Sequence, residues 1–220
     1  MRFIRPFFYI LLVYLLTVAV LAVAYRVVPP VSAVMVESKL AGDGMVRRWV
    51  PLRAVSPVLV RTLLVSEDTR FCVHHGIDWG SVDKALDEHR RAGPRGASTI
   101  TMQVARNLFL WNGRSWIRKA LEAPIALWVD LVMPKRRVLE IYLNIAEWGD
   151  GVFGIEAAAK RQFGLHASQL NAEQAALLVV MLPDPEHRDA GDPGPGQLRL
   201  ASLLMERVVH EGANVSCLKR

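Results

Sequence analysis

The stretch STITMQVARNLFL, residues 98–110, decides the fold class because its apolar residues recur at helical spacing. Ile100, Val104 and Leu108 fall within about 80° of one another on a helical projection and form one apolar face. The opposite face carries a hydroxyl, two amides and a guanidinium: Thr99, Gln103, Asn107 and Arg106. Ser98 or Thr99 is placed to cap the helix at its start. The pattern predicts an amphipathic helix whose polar face is either an ordinary solvated surface or a binding surface.

Apolar spacing of the same kind recurs on both sides of this stretch and predicts further helices. Ser56 followed by Pro57 is typical of a helix start, and Pro124 predicts a bend or interruption in its helix. Residues 184–196 are predicted to be a loop, and the Gly-Pro-containing segment 85–97 a mobile one. Because no convincing strand alternation appears, the predicted fold class is mainly α. The predicted helices cover residues 58–66, 98–110, 115–128, 136–145, 155–163, 171–182 and 198–210.

The N-terminal segment predicts a membrane anchor. Residues 6–25 form an uncharged run of 20 residues, which as a helix spans the roughly 30 Å of a bilayer core. A cleaved signal peptide is the alternative, but its apolar part is usually nearer 7–15 residues. Two arginines before the run favour a cytoplasmic N-terminus, although Arg26 follows it. The predicted organisation is a cytoplasmic tip and transmembrane anchor over 1–28, followed by an external domain over 29–220.

Composition and charge exclude several classes of protein. Hydrophobic residues make up 52% and charged residues 22%, which is the opposite of the balance that disorder requires. The formal net charge is +6, and residues 1–28 hold three basic residues and no acidic one, so the remainder is only mildly basic. No nucleic-acid motif accompanies this charge, which suits anionic lipid head groups equally well. Cys72 and Cys217 are too few for a disulfide framework and fit no zinc motif, and their pairing stays open.

Charged side chains cluster again around Glu122. Arg118 and Lys119 lie four and three residues before it on a predicted helix, so an intrahelical salt bridge of about 0.2–0.5 kcal/mol is the plain interpretation. A second carboxylate, Glu67, lies at the end of the helix predicted over 58–66. Two carboxylates in one cleft can divide the roles of base and electrostatic partner. Spacing leaves open whether Glu67 and Glu122 meet, and therefore whether the domain is an enzyme or a scaffold.

Four segments resemble, in order, the signature motifs of the family 51 glycosyltransferases, the peptidoglycan polymerases. EDTRFCVHHGID (67–78) resembles EDxxFxxHxGxD, and GASTITMQ (96–103) resembles GxSTITQQ. RKALE (118–122) matches RKxxE, and KRRVLEIYLN (135–144) resembles KKxILexYLN. Each motif alone is weak. Their shared order within a resemblance that spans residues 34–210 argues strongly against chance.

The resemblance implies a lysozyme-like, two-lobed helical domain preceded by one transmembrane helix, with an apolar lobe resting on the membrane. Segments 107–111 and 144–154 are similar to the monofunctional biosynthetic branch of the family, and no penicillin-binding domain is expected in the short stretch after Pro185. The implied reaction polymerises lipid II into β-1,4-linked glycan strands, with inversion and release of undecaprenyl diphosphate. The implied location is the bacterial inner membrane, single-pass, with a cytoplasmic N-terminus and a periplasmic catalytic domain.

The same resemblance assigns roles to individual residues. Glu67 is the implied general base, which takes the proton of the acceptor 4-hydroxyl, and Glu122 is the second catalytic carboxylate, near the donor diphosphate. Glu122 is also the candidate ligand for a divalent cation, Mg²⁺ or Mn²⁺, which is the only cofactor considered. The cations implied to face the diphosphate are Arg106, Arg114 and Lys119. The residues implied to shape the sugar sites are Ser98, Thr99, Gln103 and Asn107.

Two positions depart from the family pattern. Met102 stands where the family usually has Gln, which removes an amide and puts one polar contact in doubt. Arg106 stands where it usually has Lys, which keeps the charge and adds a planar fork. The pair His74 and His75 suggests a metal site, but the resemblance gives His74 a structural role.

Two other functions stay open at this point. A lysozyme-like lytic transglycosylase or hydrolase would share the fold and the catalytic Glu, but its sugar leaving group does not require a set of cations. A non-catalytic, membrane-anchored cell-wall scaffold would require neither Glu67 nor Glu122. The expected partners are lipid II, the growing glycan chain, inner-membrane lipids and proteins of cell-wall synthesis or division. No nucleic-acid partner is expected.

Overall fold

The computed structural model describes residues 4–42, 44–92, 98–111, 113 and 115–219, and its secondary structure is mainly helical. This confirms the predicted fold class. Two short strands lie among the helices, β1 (Val46–Arg47) and β2 (Val152–Phe153). The helices, in chain order, are α1 (Ile4–Ala24), α2 (Ala33–Ala41), α3 (Pro57–Glu67), α4 (Trp79–Ala92), α5 (Ile100–Phe109), α6 (Trp116–Val132), α7 (Lys135–Ile145), α8 (Ile155–Phe163), α9 (Ala172–Met181) and α10 (Pro195–His210).

The helices pack in two groups that share one continuous buried core. In the first group, α3, α9 and α10 pack against one another, and the run 175–181 of α9 is buried throughout. In the second, α5, α6 and α7 pack together, and α2 packs on α5. Trp148, Phe71 and Tyr142 are among the largest fully buried side chains. The lysozyme-like, two-lobed arrangement stays a prediction.

The two strands form a small parallel ladder that the sequence did not predict. Val46 pairs with Val152 and Arg47 with Phe153. Strands of two residues are too short to show a period-two alternation, so the absence of that pattern did not exclude them.

The predicted starts of α3 and α5 are confirmed, whereas α10 begins at Pro195 and not at Leu198, so the loop predicted over 184–196 ends at residue 194. Thr99 caps α5, and its Oγ1 accepts a hydrogen bond from the backbone N–H of Met102 at 3.1 Å. Pro57 is the first residue of α3, as predicted. Ser56 precedes it without capping, because its hydroxyl donates instead to the backbone carbonyl of Leu170 at 2.8 Å. That hydrogen bond connects the start of α3 to the segment that directly precedes α9.

Two local predictions need correction. Of the predicted bend or interruption at Pro124, the interruption does not occur: helix α6 continues to Val132, because Ile125, Ala126 and Val129 beyond the proline are buried in the core and hold the second half in place. The bend stays a prediction. Residues 85–92, predicted as part of a mobile loop, form the second half of α4. The apolar residues of α4, Trp79, Val82 and Leu86, recur at helical spacing, but they are few and gave only a weak signal. The rest of that predicted loop, 93–97, lies outside the described residues.

Helix α1 forms over nearly the predicted run and lies against α6. Val18 and Ala22 are buried, the Tyr14 hydroxyl donates to the carbonyl of Phe109 at 2.9 Å, and the Trp128 indole donates to the carbonyl of Ala19 at 3.4 Å. Among the residues that the structure describes, no helix has both the length and the apolar character needed to cross a membrane. The predicted transmembrane span is therefore not confirmed.

A disulfide bond joins Cys72 to Cys217, whose pairing the sequence left open. The two cysteines are 145 residues apart in the chain and their Cα atoms are 5.5 Å apart. The bond fastens the short 3-10 turn Ser216–Leu218, which follows α10, to the segment after Glu67. A covalent bond thus connects the C-terminal tail with the first sequence motif.

Candidate active site

Glu67 is the last residue of α3, and its side chain is half-buried. Its Oε2 accepts a hydrogen bond from Nε2 of Gln103 at 3.0 Å, and its Oε1 accepts one from the Ser66 hydroxyl at 3.2 Å. The two donors orient the carboxylate and leave each oxygen a lone pair for a further donor. A carboxylate held in this way can act as a general base toward a hydroxyl placed beside it.

The amide that orients Glu67 is itself held by Tyr142 of α7. The Tyr142 hydroxyl donates to Oε1 of Gln103 at 3.2 Å. Burial raises the pKa of Tyr142 well above its ordinary value, and the charge of Glu67 raises it further, while Arg106 lowers it. Tyr142 therefore stays protonated and remains a donor. Its bond fixes the Gln103 oxygen toward α7 and the Gln103 nitrogen toward Glu67.

Asp68, which directly follows Glu67, ties the end of α3 to the start of α5. Its buried carboxylate accepts from the backbone N–H of Ile100 at 2.9 Å and lies 2.9 Å from the ring Nε2 of His74. The start of a helix also favours a negative charge, so this bond positions α5 relative to Glu67. Buried His74 thus has the structural role that the resemblance implies, whereas the side chain of His75 is 96% exposed.

Thr99 and Met102 belong to the framework of the site. The Thr99 hydroxyl donates to the carbonyl of Gly76 at 2.6 Å while it caps α5, so both of its hydrogen-bonding roles are used within the protein. Met102 is buried in the core. The departure from the family pattern at Met102 therefore falls on a packing position.

A first cavity, of about 370 Å³, lies along the polar face of α5. Gln103, Arg106 and Asn107 line it from α5, and Arg118 lines it from α6. Arg106 donates from Nε to Oδ1 of Asn107 at 3.3 Å, which leaves its terminal nitrogens without a partner among the described residues. Glu147 also lines the cavity, and its Oε1 accepts from the backbone N–H of Gly151 at 3.2 Å. The two guanidinium groups in the lining suit this cavity to a phosphate or diphosphate.

A second cavity, also of about 370 Å³, lies across the Glu67–Gln103 hydrogen bond from the first. Gln103 lines the first cavity and donates to Glu67, which lines the second, so this hydrogen bond lies where the two meet. The second cavity is lined by the hydroxyl of Ser98 and by charged side chains of both signs: Glu67, Asp68, Asp78, Arg70 and Arg207.

The second carboxylate, Glu122, lies in neither cavity. It is buried, and its two oxygens pair with Arg118 and, at 2.8 Å, with Lys119. The Nζ of Lys119 also donates to the Ser98 hydroxyl at 2.7 Å, and Arg118 Nε donates to the carbonyl of Gly113 at 2.7 Å. Glu67 and Glu122 thus do not share a cleft. Glu122 instead holds Arg118 at the first cavity and Lys119 beside the second.

A divalent cation at Glu122 does not fit this arrangement. Each carboxylate oxygen already faces a cationic nitrogen, and a metal ion would have to displace Arg118 or Lys119. Within the described parts of the chain, no cluster of three His, Cys, Asp or Glu side chains could hold a metal ion.

The structure brings most of the predicted site residues to these two cavities. Arg114 lies outside the described residues. Sequence reasoning missed Arg118, which lines the first cavity, and Tyr142, which holds Gln103. Arg118 lies in the motif RKALE and Tyr142 in the motif KRRVLEIYLN, so the resemblance of these motifs to the family was the signal that could have identified both residues. The predicted residues placed at the cavities or between them are Glu67, Ser98, Thr99, Gln103, Arg106, Asn107 and Lys119.

Comparison with known proteins agrees with this geometry. Residues 35–207 match the family model described as Transglycosylase. A "Biosynthetic peptidoglycan transglycosylase" of Nitrobacter hamburgensis is 54% identical over 200 residues, which cover 90% of this chain and 86% of that protein. Proteins with the same description from Rhodopseudomonas palustris and Rhizobium meliloti are 53% and 50% identical, and the matches cover 90% and 86% of this chain and 89% and 80% of those proteins. The chain therefore belongs to the transglycosylase family.

Proposed function

We propose that this protein is a peptidoglycan glycosyltransferase that polymerises lipid II into β-1,4-linked glycan strands and releases undecaprenyl diphosphate. The observation that carries the proposal is the Glu67–Gln103 hydrogen bond, at the junction of a cavity with guanidinium groups and a cavity open to Glu67. The family match supports the same activity.

The proposed reaction is a single displacement at the anomeric carbon of the donor sugar. Glu67 accepts the proton of the acceptor 4-hydroxyl, and that oxygen forms the new bond to the anomeric carbon. The bond from this carbon to the diphosphate breaks, and the leaving oxygen takes the electron pair. One displacement converts the α-linked donor into a β-linked product. The hydrogen bonds from Gln103 and Ser66 keep the Glu67 carboxylate directed while it gains the proton.

The donor diphosphate is assigned to the first cavity. Its negative charge grows as the bond breaks, so the fixed cations Arg106 and Arg118 stabilise the transition state more than the ground state. Lys119, whose Nζ donates to the Ser98 hydroxyl, is assigned to stabilise the same negative charge of the diphosphate. Glu122 acts as a positioning residue, because it holds Arg118 and Lys119 in place. Ser98, Gln103 and Asn107 are left to contact the sugars.

Two other activities make different demands on the site. A lytic transglycosylase or hydrolase would use Glu67 on finished glycan, and its sugar leaving group would not need Arg106 and Arg118. A non-catalytic scaffold would not need the chain of bonds from Tyr142 through Gln103 to Glu67. The cations and the oriented carboxylate together favour the polymerase.

The experiment that tests the proposal offers two substrates to the purified full-length protein. Lipid II should be converted into long glycan with release of undecaprenyl diphosphate, while finished glycan strands should stay intact. Shortening of finished glycan without use of lipid II would favour the lytic enzyme. No change in either substrate would favour the scaffold.

The cell envelope is the location that fits this function, and we assign the protein to the inner membrane with residues 1–28 as anchor and 29–220 as periplasmic domain. Support comes from the uncharged run 6–25 and from exposed apolar side chains of α1, including Tyr9, Ile10 and Val13. The disulfide bond also fits an oxidising compartment. Mass spectrometry of membrane-extracted protein should find the N-terminal segment attached, and a mature terminus near residue 25 would contradict the anchor.

A further inference from the structure

A basic pocket of about 360 Å³ lies away from the active site. None of its lining residues lines either of the two cavities that meet at Glu67. The pocket has a cationic rim, formed by Arg53, Arg61, Arg136 and Lys219, and an apolar wall, formed by Leu52, Val55, Pro57, Val60, Val215 and Leu218.

The charge of the basic pocket has one sign. All of its charged lining residues are cations, and no Asp or Glu of the described residues lines it. Arg53, Arg61 and Lys219 are exposed, and their side chains form no hydrogen bond or ion pair with any other described residue. Like charges gathered around one cavity raise the local potential and favour an anion there.

The wall of the basic pocket selects among anions. The side chains of Val55 and Val60 are buried or nearly so and present hydrocarbon to the cavity, and Val215 and Leu218 complete the wall from the disulfide-bonded tail. A small inorganic anion would contact the rim alone. An anion that carries an alkyl chain would contact both rim and wall, so the pocket matches an amphiphile.

The position of the basic pocket points to the bilayer. Arg136 of the rim is the neighbour of Arg137, whose guanidinium donates to the carbonyl of Tyr25 at 2.9 Å and to that of Val28 at 2.8 Å. The start of α7 therefore carries both a rim residue of the pocket and a contact to the chain that follows α1. If α1 is the membrane anchor proposed above, phospholipid head groups lie at this level.

We propose that the basic pocket binds an anionic phospholipid, with its phosphate at the rim and the first part of one acyl chain on the apolar wall. The proposal goes beyond the polymerase activity and rests on the proposed membrane location. Such a lipid would hold the domain at a fixed height and orientation above the bilayer surface.

The test measures lipid binding by native mass spectrometry of the full-length protein in a neutral detergent. The probes are phosphatidylglycerol, phosphatidylcholine of the same chain length, and glycerol phosphate. The pocket variant is Arg53→Glu/Arg61→Glu, and the control Arg48→Glu/Arg199→Glu makes the same charge change at two exposed arginines outside the pocket. Because all four side chains are exposed, both variants should fold, which thermal melts check. If the pocket variant fails to fold, Arg61→Gln replaces it.

The expected result is that phosphatidylglycerol binds the native chain and the control alike, and binds the pocket variant about tenfold more weakly or worse. Phosphatidylcholine and glycerol phosphate should bind all three proteins weakly. Equal phosphatidylglycerol affinity in the pocket variant and the control would overturn the proposal, as would glycerol phosphate binding as tightly as the lipid. In a competition with an acidic peptide as a fourth probe, displacement of phosphatidylglycerol by the peptide would show that the pocket serves a protein partner and would also overturn the proposal.

Lipid II polymerisation in the same detergent separates this proposal from the proposed function. Both variants should polymerise like the native chain, since neither touches the residues around Glu67. A native chain that binds phosphatidylglycerol through the rim but does not polymerise would contradict the polymerase and leave the lipid site standing.

Discussion

Gln103 donates to Oε2 of Glu67 at 3.0 Å and accepts from the hydroxyl of Tyr142 at 3.2 Å, so its amide is held at both ends. The three residues come from α3, α5 and α7. Their bonds connect the carboxylate at the junction of the two cavities to a fully buried phenol. The orientation of the base therefore depends on Tyr142, which acts on Glu67 through Gln103 and not directly.

Loss of the Tyr142 hydroxyl should misdirect the base without removing it. In Tyr142→Phe the Gln103 oxygen loses its donor, and the amide can rotate away from Glu67. We expect kcat to fall by roughly tenfold and the stability by about 1 kcal/mol. Polymerisation kinetics beside a thermal melt measure both. Tyr14→Phe is the matched control: it also removes a tyrosine hydroxyl, but one that donates to the backbone carbonyl of Phe109, and it should polymerise normally. An unchanged kcat in Tyr142→Phe would remove this positioning role.

Lys119 and Arg118 both pair with Glu122, yet their substitutions should act differently. The side chain of Lys119 is 45% exposed and reaches Ser98. Because only the Lys119 end of this pair is exposed and Glu122 keeps Arg118 as a partner, Lys119→Ala should lower the melting temperature less than Arg118→Ala does. If Lys119 stabilises the departing diphosphate, kcat should fall by roughly 10²-fold. A variant that melts lower but polymerises normally would leave only the salt bridge.

Arg118→Ala should instead cost stability as well as activity. The side chains of Arg118 and Glu122 are 11% and 3% exposed, so the substitution leaves a buried carboxylate with a single partner. Breaking a buried ion pair from one side typically costs about 3–5 kcal/mol. The same thermal melts compare Arg118→Ala with Lys119→Ala. Equal melting temperatures of the two variants would contradict the assignment of Arg118 as the buried partner.

Removal of the disulfide bond should destabilise the whole domain. The bond closes 145 residues of chain, and loss of a native disulfide typically costs roughly 2–5 kcal/mol. Cys72→Ser/Cys217→Ser and reductant treatment of the native chain should lower the melting temperature alike. The double variant contains no other cysteine, so reductant should not affect it further. A reductant-insensitive native chain would show that the cysteines are unpaired in solution.

Asp78, which lines the second cavity, should make the free energy of unfolding depend on pH. Burial alone would raise the pKa of Asp78, but hydrogen bonds from Ser81 and the charges of Arg70 and His74 outweigh it and lower the pKa. Because the pKa of Asp78 is lower in the folded state, its ionised carboxylate stabilises the fold. This contribution is complete at pH values above the unfolded-state pKa of about 3.9 and is lost as the pH falls through the folded-state pKa. Asp78→Asn should therefore melt below the native chain at pH 7, and the difference should shrink in acid. Ser81→Ala should show the same trend more weakly. A difference that is constant with pH would contradict the shift.

Sequence periodicity predicted the helices that have an apolar stripe. Helix α8 was predicted over the bounds it has, Ile155–Phe163, and α5 begins at its predicted cap. Helix α4 was missed although Trp79, Val82 and Leu86 recur at helical spacing, because these few apolar residues stand among polar and charged ones. The pairing of Cys72 with Cys217 could not be read from the sequence either, since it depends on how the chain returns after 145 residues.

Most of the predicted site residues lie at the two cavities, while their functional roles stay predictions. Residues in the quoted motifs gave Glu67 and the polar face of α5, but spacing could not separate Arg118 from Lys119, which both lie within one turn of Glu122. What separates them is burial, which depends on the helices that pack on α6. For the same reason, the sequence could not show that Glu67 and Glu122 occupy different places.

The central claim is that Glu67 is the general base of lipid II polymerisation. The most direct measurement is the polymerisation rate of Glu67→Gln, with circular dichroism to check its fold. The amide is nearly isosteric with the carboxylate but cannot take the proton, so the rate should fall by roughly 10²–10⁴-fold while the spectrum stays native. A correctly folded Glu67→Gln that polymerises lipid II within a few-fold of the native rate would contradict the account.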